Sequence, residues 1–346
     1  MSDIHDNTRE KSVLLNQFEP RSSSVSEKLQ GKVRIKKRTK EAKIESDFIE
    51  LPKNEYIKFL GITSINRTQL YHNNEKYIYF LELTNNLDFI ATSILGGVLD
   101  KMSLISEETN VTEKIQFLVR DDLIYMVYGV FPDKKAIWIL EQMHKYYSEL
   151  VTGKNFDDLT KLEEHKITLK FNSVLKFILR EYLKIQDVFS DQEIPYVENK
   201  LKIHYFGLSS RSIGVISLLL GDELNVEVPG NFENPEEIAE MKESLLTAKI
   251  EAIAANTLGN TGAVPRWIAV KLGFQNYRFL TFRKFKNEYF ASFLSEGNLG
   301  KLDKLEAELE PYLKNILKTP FSGNLKPFNE LRATMAKKYR ESSEIH

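Results

Sequence analysis

The chain has 346 residues, 42% of them hydrophobic and 28% charged, which supplies ordinary packed cores and excludes wholesale disorder. Its 48 lysines and arginines balance 49 aspartates and glutamates, a formal net charge of -1 that argues against a protein wrapped in nucleic acid. Cysteine is absent, so disulfide scaffolds, thiolate zinc sites, iron–sulfur clusters and thiol catalysis are excluded.

Residues 1–48 read as a disordered, basic N-terminal tail, with serines clustered at Ser22–Ser24 and no sustained period. Met1–Arg9 is polar and acidic, unlike a secretory signal. The one charge-bearing feature is the run from Lys32 to Lys40. Its cations Lys32, Arg34, Lys36, Lys37, Arg38 and Lys40 are the candidate contact with an anionic surface, either lipid head groups or nucleic acid. A solvated tail, or an edge strand alternating through Val33 and Ile35, accounts for the same residues. No aromatic side chain interleaves the run, so it offers no stacking platform for single strands.

A first folded unit spans 50–187. Tyr56–Ile62 and Tyr77–Leu83 read as strands, Thr84-Asn85-Asn86 as a turn, and Leu87–Thr92 as a returning hairpin strand. Ile94, Leu95, Val98, Leu99, Met102 and Ile105 then fall at helical spacing. Gly96 and Gly97 inside that stretch either permit close packing or mark a late helix start. Lys114–Val119 and Leu123–Val130 are two further strands. A helix opens at Pro132, with Asp133 as its cap and Ile137, Leu140, Met143, Tyr147 and Leu150 as its buried stripe. After a polar stretch, Thr152–Lys166, a second helix carries Phe171, Val174, Leu175, Ile178, Tyr182 and Ile185.

A linker at Asp187–Asn199 leads to a second unit, 198–320. Leu201–Gly207 and Gly214–Leu220 read as strands, although the latter could equally begin a helix. Asn234-Pro235-Glu236-Glu237 combines a cap, an N1 proline and a capping-box acid. The expected stripe runs through Ile238, Met241, Leu245, Ala248, Ala252 and Ala255, ending before Gly259. Arg266–Leu272, Tyr277–Phe285 and Glu288–Leu294 are three strands joined by short turns. The last core helix carries Leu302, Leu305, Leu309, Leu313 and Ile316, and Pro311 should kink or divide it. Residues 321–346 read as a polar tail with one helical stretch near Asn329–Tyr339.

Both halves therefore run strand, strand, helix, two or three strands, helix, without a residue match at fixed period. The class is α+β, with mainly antiparallel sheets and flanking helices. In this order the chain resembles the longin and roadblock group of small regulatory domains. The likeness rests on Tyr77–Thr92, the stretch Ile94–Ile105 and the run Ile115–Val127. Two helices follow, Lys134–Leu150 and Phe171–Ile185, where longin domains carry theirs. In the second half it rests on Tyr289–Leu294 leading into Asn298-Leu299-Gly300. A first strand at Tyr56–Ile62 departs from the pattern. The resemblance implies a non-enzymatic scaffold in vesicle trafficking or small GTPase regulation, presenting a sheet edge and helix faces. It implies a protein partner such as a small GTPase, pairing with a second copy or a related chain, and a cytoplasmic location with weak peripheral attachment to anionic membrane.

No catalytic constellation accompanies it. Gly207–Gly214 follows a strand, but its second glycine falls too late for a phosphate loop and Val215 stands where lysine is required. No two histidines have metal-binding spacing, no Gly-x-Ser-x-Gly elbow occurs, and no cofactor is expected. The rival partner is nucleic acid, held by the basic arm and by Arg278, Arg283, Lys284 and Lys286 on an aromatic pair of strands.

Overall fold

The computed structural model describes residues 55–156, 159–185, 199–210, 213–220, 224–230 and 234–342. The chain divides into two units, Met1–Phe48 and Ile49–His346. All of the first lies outside the described residues, and with it the basic run and its six candidate contacts. The linker at 187–198 lies outside them too.

The first half of the second unit opens with strands β1 (Tyr56–Ser64) and β2 (Gln69–His72), then helix α1 (Tyr79–Ser93). The expected hairpin of Tyr77–Leu83 and Leu87–Thr92 is thus a single helix. Its β-favouring residues conceal a stripe, Phe80, Thr84, Leu87 and Ala91, spaced by four, three and four and buried throughout. The expected helix at Ile94–Ile105 is instead β3 (Val98–Ser106), and Gly96-Gly97 is the turn between them. A Cβ at Gly97 would lie 2.6 Å from the Lys271 carbonyl oxygen, so this turn packs backbone against backbone.

β4 (Thr112–Arg120), β5 (Leu123–Val130), α2 (Asp133–Val151) and α3 (Lys161–Lys184) complete the half. Pro132, not Asp133, occupies the cap of α2, and Asp133 instead takes the ammonium groups of Lys101 and Lys114. The buried face of α2 is rotated from the expected stripe: Ala136, Ile139 and Val151 are covered, whereas Ile137 is exposed. Helix α3 begins earlier than expected. Thr160 and Glu163 form a reciprocal capping box that sets its start.

The second half runs β6 (Leu201–Ser210), β7 (Ile213–Leu219), α4 (Pro235–Thr261), β8 (Ala263–Gly273), β9 (Asn276–Lys284), β10 (Tyr289–Gly297), α5 (Leu299–Ile316) and α6 (Lys326–Ser342). Asn234 caps α4 as expected, and Gly262 ends it in a left-handed conformation. Its buried face is Leu246, Ile250, Ile253, Ala254 and Thr257, so Ala248, Ala252 and Ala255 of the expected stripe face outward. α5 continues through Pro311 undivided. The C-terminal segment is no mere polar tail. In α6, Phe328, Leu331, Met335 and Tyr339 are buried against the second half.

The ten strands form one antiparallel sheet in the order β2-β1-β5-β4-β3-β8-β9-β10-β6-β7. Each half contributes five, and β3 pairs with β8 at the centre. Pro265 sits in that central strand where the register shifts, the kind of irregularity that tolerates a residue without an N–H donor. One sheet face is covered by α1 and α4, which touch one another. Their core is continuous across both halves, from Phe59 and Phe80 to Leu280 and Leu294. The opposite face carries two separate cores, one beneath α2 and α3 and one beneath α5 and α6.

Candidate functional site

The strands place the sequence-derived cations apart. The Arg278 guanidinium donates to the Leu95 carbonyl, on the α1 side of the sheet, and lies 3.3 Å from Glu296. Arg283 pairs with Glu306 of α5 at 2.8 Å, on the other side, and Lys284 pairs with Glu107. The aromatic side chains divide likewise: Phe279 and Phe293 join the core under α5 and α6, Phe282 and Phe290 the core under α1 and α4. The strands therefore do not gather these residues into one aromatic and basic face. Among the described residues, no group of three or more His, Asp or Glu side chains is placed to hold a metal ion.

His204, Glu296 and Arg278 form a buried cluster near the α1 end. His204 Nε2 lies 3.5 Å from Glu296 Oε2. Hydrogen bonding from His204, assisted by the Arg278 charge, overcomes desolvation and draws the Glu296 carboxyl down to about 2. A carboxylate held below its unfolded value stabilises the fold above the ordinary carboxylate range, and that contribution is lost as pH falls toward 2. Denaturant midpoints of the native chain should therefore drop between about pH 4.5 and pH 2.5 more steeply than those of Glu296→Gln. Parallel curves would show that the cluster carries no such linkage.

Cavities mark the sheet faces differently. One, about 930 Å³, opens beside α5, and two of its walls are the Arg283–Glu306 and Lys284–Glu107 pairs. Two others flank the touching helices α1 and α4. The first, about 370 Å³, is lined on α1 by Asn85, Asp88, Phe89 and Thr92, and closed by Val98 of β3 and Asp122 of the β4–β5 turn. The second, about 630 Å³, is lined on α4 by Glu251, Ala254, Ala255 and Leu258, and closed by Val264 of β8 and Glu288 beside β10.

These two cups are counterparts. The four lining positions on each helix share the same spacing of three, one and three, and Val98 and Val264 follow at the same distance along the chain. Even the polar contacts recur: Asn85 donates to the Thr63 hydroxyl on β1 at 3.0 Å, and the Ser209 hydroxyl on β6 stands against Glu251. The cups differ in what fills them. Phe89 is 47% exposed at the first, with the Lys249 ammonium 5.2 Å from its ring centre. Its counterpart at the second, roomier cup is the small side chain of Ala255. Burial raises the carboxyl of Asp88 in the first cup and of Glu251 in the second, and each keeps one oxygen without a hydrogen-bond partner.

Periodicity could have found these residues. On α1 polar residues recur at i, i+3 and i+7 (Asn85, Asp88, Thr92), a signal hidden by the strand reading of Leu87–Thr92; on α4 the same positions are Glu251, Ala254 and Leu258, and only the first is polar. No family model matches the chain, and no curated protein is similar enough to match it. No helix among the described residues is long and apolar enough to cross a membrane.

Proposed function

We propose that the chain is a non-enzymatic interaction platform: two longin- or roadblock-like units in tandem whose α1/α4 face docks a small GTPase or a related trafficking or regulatory protein. The supporting observation is the repeated element order. Each half runs two strands, a helix, three strands and two helices, and the strand order of one half is mirrored in the other about β3 and β8. With Tyr77–Leu83 assigned to a turn and a helix, only two strands precede α1, and the departure noted at Tyr56–Ile62 falls away. Fold alone does not define function, so the reading leans on the face itself. There, Ile65, Phe89 and Val98 expose apolar surface around one cup, beside a second cup that is roomier and smooth. A basic N-terminal run would then serve as a weak tether to anionic membrane.

The test is retention of purified small GTPases, loaded with GDP or a GTP analogue, on the immobilised full-length chain at two salt concentrations. The full chain is required because α6 completes the second core. Nucleotide-dependent retention that Phe89→Glu weakens at least tenfold is the expected result. Retention of RNA or DNA alone, falling steeply with salt, would replace this reading with the nucleic-acid one.

A further inference from the structure

The comparison of the two cups says what the second one lacks. Where the first cup holds the Phe89 ring with a lysine ammonium against it, the second presents Ala254, Ala255 and Leu258 around open volume. Its floor is apolar, built from Val264, Pro265 and Phe290. Glu251 lines it, and the lysine there, Lys284, is engaged by Glu107. Glu251 Oε1 is buried without a hydrogen-bond partner, an arrangement that costs free energy.

We infer that the second cup is a docking slot for a partner protein's aromatic side chain carrying an adjacent lysine or arginine, the ring seated over Ala255 and the cation on Glu251. The ring replaces inside this cup what Phe89 supplies in the other. The cation pairs with the Glu251 carboxylate beside the Ser209 hydroxyl, and the apolar floor desolvates both, which strengthens their attraction. The inference deepens the platform reading and rests on it only in taking the occupant to be part of a protein.

The experiment titrates full-length, methyl-labelled protein with three capped dipeptides: Ac-Phe-Lys-NH2, Ac-Phe-Glu-NH2 and Ac-Ala-Lys-NH2. Saturable shifts at the Ala254, Leu258 and Val264 methyls with Ac-Phe-Lys-NH2 are expected, and binding at least tenfold weaker for each of the other two. Ala255→Phe, which builds into the second cup the ring already found in the first, should abolish the shifts. Glu251→Gln, similar in shape, should weaken Ac-Phe-Lys-NH2 about tenfold and erase its advantage over Ac-Phe-Glu-NH2. Ala255 is exposed, so Ala255→Phe leaves the core undisturbed. Absent shifts, or shifts undiminished in Ala255→Phe, overturn the slot; equal binding of the Lys and Glu peptides overturns its charge preference. Dipeptide binding without GTPase retention would refute the platform's proposed partner alone, and retention without dipeptide binding would refute the slot alone.

Discussion

Alanine at Gly129 is expected to cost the folded state more than about 3 kcal/mol, read as a fall in urea midpoint. Gly129 lies where β5 meets the start of β1, at a register shift between Ile57 and Phe59. A Cβ there would enter the van der Waals envelope of the Tyr56 carbonyl oxygen, which is backbone and cannot swing aside. Gly297 repeats the arrangement at the end of β10, with φ +101° and the Lys200 carbonyl in the same place, so Gly297→Ala should be comparably damaging. Gly259→Ala is the control. No atom lies within 4 Å of its added Cβ, and on a helix it should stabilise by about 0.5–1 kcal/mol. Wild-type midpoints for the first two variants would show that the close approaches are not built as described.

Phe80→Ala should cost about 3–5 kcal/mol, the range for emptying a buried aromatic site. Phe80 is fully buried, with the Tyr128 ring 4.5 Å away, Tyr79 at 4.7 Å and Phe59 at 6.2 Å, centre to centre. Its core runs without interruption under α1 and α4, so damage in the first half should unfold the second with it. The two tryptophans make this measurable, since Trp138 lies on α2 and Trp267 on β8. With either tryptophan replaced by phenylalanine, the remaining fluorophore reports its own half. Both reporters should move to one lower midpoint in the Phe80→Ala background. A shift in the Trp138 signal alone would mean the halves melt independently.

Much of the fold was legible because many of its strands are short runs of apolar and aromatic residues bounded by turns. β4, β5, β6, β9 and β10 each appear within a few residues of where such runs place them. Asn234-Pro235 and Asn298 announced two helix starts through cap chemistry that depends on neighbours alone. The central part was harder for a physical reason. Helix α1 buries Thr84, Asn85 and Asp88 as well as its apolar residues, so the polar face that marks an amphipathic helix is reduced. β3 carries Lys101 and Ser103 into buried positions, which blurs its alternation in the same way. On α4, three alanines at helical spacing look like a packing stripe, yet one wall of the cup is made by leaving Ala255 outside. The pairing of β3 with β8 is tertiary, and no local spacing encodes it. The basic run, conspicuous in sequence, lies outside the described residues, whereas the counterpart cups emerge only once the two helices lie side by side.

Joining both halves of the sheet within one polypeptide changes how the molecule responds to dilution. Two separate chains meeting along β3 and β8 would dissociate as concentration fell, but here the second half is always present at the effective concentration set by its tether. Subunit exchange is ruled out by the covalent link, so each half is paired with one invariant neighbour. That permanence removes the requirement, binding on any symmetric dimer, that both copies carry the same side chains. Phe89 and Ala255 can therefore diverge at counterpart positions without a matching change elsewhere, and a symmetric frame can present one occupied cup and one vacant one. For the docking slot proposed above, ligand stoichiometry would then be one per chain and orientation on the surface unique.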